Sequence, residues 1–158
     1  MTALRTWLIP ILLGVVLAAL LGTSVVLHSH QGRDVDPGLL VAARTEATNF
    51  FSLDYRHADA DVDRVLALAT GSFKKDYASR RKEVVAGVTS KKLVVTATIP
   101  RDGAAVELSD GDHGQVLVAV DVSTGTLTGA STVNRYRTRI LLTRVGGRWL
   151  VSDLNQVG

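Results

Sequence analysis

The C-terminal stretch Gly146 to Val157, GGRWLVSDLNQV, sets one carboxylate, Asp153, among apolar neighbours. A carboxylate at the back of an apolar pocket can act as a general acid or base, because desolvation moves its pKa toward neutrality. Strict alternation from Trp149 would put Val151 and Asp153 on one face and Leu150 and Leu154 on the other. Near the strand end, pairing with an arginine or a backbone donor competes with proton transfer. Asp153 is thus the candidate pocket carboxylate only if the protein is an enzyme.

A second constellation is basic. Arg135, Arg137 and Arg139 alternate with Tyr136, Thr138 and Ile140, so a strand places three guanidinium groups on one face. That face suits an anionic head group or an acidic partner surface, and it equally suits a solvated outer face closed by cross-strand pairing. Asp59, Asp61 and Asp63 alternate as the first ligands of a calcium loop do, but Arg64 occupies the place of the required glycine and Thr70 that of the glutamate. Asp59 as a helix cap, with acids in the first turn, explains the cluster better. Ser79-Arg80-Arg81-Lys82 matches the S-x-x-K pattern of serine acyltransferases in letters only, with no K-T-G downstream. His28 and His30 form no metal set without a further ligand, and solvated linker is the simpler reading. Catalytic, metal and cofactor residues are therefore assigned to none.

Composition narrows the classes further. The chain has 158 residues, net charge +3 and no cysteine, which excludes disulfides, thiolate metal sites and a cysteine nucleophile. Its basic residues are interspersed with 15 acidic ones and aromatics are few, so no basic stripe with stacking residues marks a nucleic-acid binder.

These residues must be held by elements that the patterning outlines. Residues 7–27, WLIPILLGVVLAALLGTSVVL, carry no charge and are long enough to cross a hydrocarbon core of about 30 Å as one helix. The run is too long for a signal-peptide core and no A-x-A site follows, so a retained single-pass anchor is expected. Arg5 in the short flank 1–6 places the N-terminus in the cytoplasm and the rest of the chain outside the cell membrane. A linker, 28–36, leads to a domain over 37–158. Asp36-Pro37 opens a helix with Leu40, Ala43, Ala47, Phe50, Phe51 and Tyr55 inward and Arg44, Glu46 and Thr48 outward. A short helix follows, then a third over about 72–88, interrupted by basic residues at 80–82 that belong at the domain edge. After Lys91-Lys92 the period changes to two, giving strands near 93–99, 104–108, 116–122, 133–145 and 148–157, with Gly146-Gly147 as a two-residue turn. The fold class is α+β: about three helices packed on a curved antiparallel sheet of four to five strands.

With LDYR at 53–56, TGSF at 70–73, VLVAVD at 116–121 and GRWLVSDL at 147–154, the chain resembles the Mce-associated membrane proteins of actinobacteria. The resemblance implies a soluble domain like the nuclear transport factor 2 and SnoaL-like cone fold. It also implies a non-enzymatic accessory role that stabilises or docks onto a lipid-transport complex, with Mce transporter subunits or related envelope proteins as partners and room for a homo-oligomer. The same layout of anchor plus cone-like domain is shared by assembly scaffolds of type IV secretion. Some cone-fold proteins are isomerases or cyclases with an aspartate base and a tyrosine donor. By letter, Asp54, Asp121 and Asp153 would be the bases and Tyr55, Tyr77 or Tyr136 the donors.

Overall fold

A computed structural model describes residues 36–157. The expected helix 7–27, its flank 1–6, the linker up to residue 35 and the His28/His30 pair lie outside the described residues. Among the described residues no helix is long and apolar enough to cross a membrane.

Asp36 caps α1 (Pro37–Phe50) as its position before proline predicts, its Oδ1 accepting the Gly38 N–H at 2.8 Å. The buried stripe of α1 is Leu39, Ala43, Glu46 and Ala47, which corrects the expected one: Leu39 replaces Leu40, and Glu46 points inward. The reason is a long-range contact. Leu39 sits against Gly114, where a Cβ would come within 2.3 Å of Leu39 Cδ1, so a bare backbone on the sheet fixes the rotation of the helix. α1 ends at Phe50, and Tyr55, expected on it, lies beyond the two-residue strand β1 (Leu53–Asp54).

Three more helices follow, α2 (Ala58–Leu68), α3 (Gly71–Ser79) and α4 (Arg81–Ser90). His57, rather than Asp59, occupies the N-cap position of α2. The single helix expected over 72–88 is broken at Arg80, whose backbone (φ −89°, ψ 0°) leaves the helical region while its N–H is shared between the Tyr77 and Asp76 carbonyls. Among the described residues four helices, not three, result.

The sheet has six antiparallel strands: β1, β2 (Val94–Thr98), β3 (Ala104–Asp110), β4 (His113–Gly125), β5 (Thr132–Val145) and β6 (Arg148–Gln156). β2 and β3 share one edge of β4, β3 along its first half and β2 along its second. The step between them is made at Gly103, whose carbonyl accepts the Ala119 N–H and where a Cβ would meet Pro100 Cδ at 2.9 Å and Ala119 O at 3.0 Å. Val116, Val118, Val120 and Val122 all face the helices, with Ile140, Leu142, Trp149 and Val151 beside them. Burying each such side chain stabilises the fold by about 1.5–3 kcal/mol. Gly146 (φ 57°) and Gly147 (φ 79°) make the β5–β6 turn, with the positive φ at both positions that a type I′ turn requires.

The final strand departs from strict alternation. Leu141 pairs with Asp153 and Leu142 with Val151, leaving Ser152 as a bulge. Past the bulge the faces exchange: Leu154 packs on the core with Trp149 and Val151, and Asp153 faces outward opposite Leu141.

Candidate functional site

The outer face of the sheet carries the three arginines, and two of them are occupied. Arg135 pairs directly with Asp121 across β4 and β5, with contacts of 2.6 and 2.8 Å. Arg139 grips Glu107 on β3 at 2.8 and 3.2 Å, and the Gln115 amide donates to the same carboxylate at 2.8 Å. These donors pull the Glu107 carboxyl down to about 2 and hold Asp121 below the usual carboxylate range. Arg137 lies opposite Ala119 and has no carboxylate partner among the described residues. Two of the three arginines thus make the cross-strand pairing that was set against an anion site, and the face is largely neutralised by its own carboxylates.

The aspartates that resemblance offered as bases are likewise engaged. Asp153 accepts the Leu154 N–H at 2.9 Å and the Asn155 amide at 2.7 Å on the outer face, away from the core. The bulge at Ser152 is what removes it from the interior. Asp54 is held well below the usual carboxylate range, first by the Arg56 side chain, which contacts both of its oxygens, and then by the Arg56 N–H. Buried Asp61 accepts the Asp54 N–H at 2.7 Å and forms an ion pair with the Arg64 guanidinium at 2.8 Å, and His57 Nδ1 lies 2.6 Å from its carboxylate. This network ties β1 to the first turn of α2. Asp59 and Asp63, the outer members of the acidic triplet, both bind Arg81 of α4. Tyr77 lies in an aromatic cluster with Phe50 and Phe73, and Tyr136 stacks on Phe51. Among the described residues none of the Tyr55, Tyr77 and Tyr136 hydroxyls is hydrogen-bonded to Asp54, Asp121 or Asp153, so the base-and-donor pair of an isomerase is not assembled from these candidates.

One carboxylate was missed. Glu46 on α1 is fully buried, and neither of its oxygens has a hydrogen-bond partner. Desolvation pushes its pKa up to about 8, while the Asn49 amide, which pulls the other way, does not reach hydrogen-bond geometry. Burial and then the nearness of Glu46 and Asp61 raise the Tyr77 phenol to about 12. Leu39, Ala43, Glu46 and Phe50 have the spacing of one helical stripe, so the signal was present for a reading started one residue earlier.

The second missed feature is the surface of α3 and α4. Lys74, Lys75, Arg80, Lys82, Lys91 and Lys92 are all exposed, and none is paired with a carboxylate among the described residues. Residues 71–92 hold seven basic side chains against Asp76 and Glu83, a net +5, whereas the whole chain is only +3. The remainder is therefore net negative. A groove of about 490 Å³ beside α4 is lined by Val85, Ala86, Thr89, Lys82, Arg81 and Asp59. The basic run at 80–82 was read as a domain edge, and the matching lysines on either side were not connected to it.

The family model for uncharacterized Rv1363c/MT1408-like proteins matches residues 5–158. The chain belongs to this family. Uncharacterized protein Rv1363c of Mycobacterium tuberculosis is 30% identical over 116 residues, 73% of this chain and 44% of that relative, so the chain spans less than half of the relative's length. Among solved structures, the periplasmic domain of DotI superposes with a TM-score of 0.65 at 17% identity, covering 79% of this chain and 96% of that one. An IcmL-like type IV secretion protein from Legionella pneumophila gives 0.65 at 14% identity, covering 80% and 94%. CagV, a VirB8 homologue from Helicobacter pylori, gives 0.61 at 11% identity, covering 77% and 98%. The α+β fold of this Rv1363c/MT1408-like chain is therefore that of the VirB8-like domains.

Proposed function

We propose that this Rv1363c/MT1408-like protein is a non-enzymatic scaffold of the cell envelope. Its domain over 36–157 would be displayed outside the membrane by the apolar segment 7–27 and bind other proteins of a multiprotein assembly. The observation that carries the reading is the match, over nearly the whole length of the neighbour chains, to the periplasmic domain of DotI and to secretion-system proteins of the same fold. The engagement of Asp54, Asp121 and Asp153 in local ion pairs and hydrogen bonds supports it, since none is free to act as a base. The Mce-type lipid-transport partnership rests on the sequence resemblance alone and is the alternative.

Photo-crosslinkers at the exposed Val41, Leu108 and Leu127 of the full chain, activated in intact cells, test the reading. Discrete adducts with envelope assembly proteins or with a second copy are expected. Adducts with Mce subunits would transfer the protein to lipid transport, and no adduct at any of the three positions would overturn the scaffold role.

A further inference from the structure

We infer that the α3–α4 surface is a docking face for an anionic phospholipid bilayer. The inference rests on the anchored reading above and adds to it how the domain lies once tethered.

Three observations converge on it. The charge is segregated along the chain: with Arg81 taken up by Asp59 and Asp63 of α2, the segment 71–92 still holds six cations against Asp76 and Glu83, while the rest of the chain is net negative. The charge is also free, because two of the sheet arginines are closed by Asp121 and Glu107, whereas the six exposed cations on and beside α3 and α4 meet no carboxylate among the described residues. Finally, five of those six are lysines, and the only fully exposed apolar residues of the segment are the small Ala78 and Ala86, with Phe73, Val84 and Val85 half-buried.

That last point separates lipid from protein. Stereospecific protein interfaces favour arginine and large aromatics and are depleted in lysine, since a flexible ammonium on a long stem loses entropy when fixed against one partner atom. Anionic head groups of the leaflet that the domain faces form a fluid array of phosphates that asks for no fixed geometry, so lysines retain their freedom while meeting opposite charge. The tether supports contact: residues 28–35, even fully extended, reach at most about 28 Å, which keeps the domain within a few Debye lengths of the bilayer.

The chain has no cysteine, so a single one can carry a probe. Full-length protein with Thr89→Cys, labelled with an environment-sensitive fluorophore, is reconstituted into phosphatidylcholine vesicles with and without about 30 mol % phosphatidylglycerol, an anionic fraction that gives the surface potential lysines sense. Ala105→Cys, exposed on β3 across the sheet from the helices, is the reference. With phosphatidylglycerol the Thr89 probe is expected to shift to the blue and to be quenched at least twofold more by nitroxide lipids, and about 0.5 M salt should reverse both by screening. Lys74→Glu with Lys82→Glu and Lys92→Glu should abolish the response. A Thr89 probe indifferent to phosphatidylglycerol, or an equal response at Ala105, overturns the inference and leaves an acidic protein partner for this face. Alkaline extraction distinguishes failure of the anchor: protein that washes off vesicles refutes the tether, and its salt-sensitive rebinding to phosphatidylglycerol vesicles still decides the docking face.

Discussion

Glu46 shows how one side chain can set the pH behaviour of a fold. Its folded pKa, about 8, lies above the ordinary 4.5, so the folded state binds the proton more tightly than the unfolded chain does. Stability is therefore full below about pH 4.5 and falls as pH rises toward about 8, beyond which the loss is complete, on the order of a few kcal/mol. Glu46→Leu, which fills similar space without a buried charge, should raise urea-unfolding stability at pH 8 by roughly 1–4 kcal/mol and flatten its slope between pH 5 and 8. An unchanged slope would show that another group titrates. Asp61 is the opposite case, a buried carboxylate with every partner in place. Asp61→Ala strands the buried Asp54 N–H and leaves the half-exposed Arg64 to water, and should cost roughly 1–3 kcal/mol in the same measurement.

Between the elements, the contacts that fix orientation are the ones sequence patterning reads least well. The alternation in β4 was legible because four valines at period two can face a core in only one way, and they do. Gly146-Gly147 was legible because two consecutive positive φ angles demand such residues. The rotation of α1 was not, since it depends on the absence of a side chain at Gly114, seventy-five residues from Leu39. Nor was the bulge at Ser152, which no residue type announces and which carries Asp153 out of the interior. For the candidate site, the arginine face was correctly placed on one side of β5, but the acids that neutralise it come from β3 and β4 and required the register to be known. The helix-to-sheet contact can be tested directly. Gly114→Ala would force a methyl into Leu39, which has no room to yield because it is wholly buried, and should lower stability by about 1–3 kcal/mol. A Gly114→Ala cost that vanishes when measured in a Leu39→Ala background would assign the loss to that contact rather than to the strand.

For the whole molecule, paired and unpaired charges have different consequences for stability. Lys74, Lys82 and Lys92 are exposed and unpaired among the described residues, so reversing them to Glu should shift Tm by no more than about 2–3 °C while changing the sign of the surface they form. The carboxylates elsewhere act on stability instead. Arginines hold Asp54, Asp63, Asp121 and Glu107 below their ordinary pKa values, Glu107 at about 2, so their contributions are present above about pH 4.5 and are lost as pH falls through the lowered values. Glu46 withdraws stability in the other direction. The two trends leave a maximum near pH 4.5–6 rather than at neutrality. Thermal unfolding followed from pH 2.5 to 8.5 should show that dome, and in Glu46→Leu only the alkaline limb should flatten. If the alkaline limb persists in that variant, or the acid limb moves with it, the two sets of carboxylates do not act independently as their separation in the fold requires.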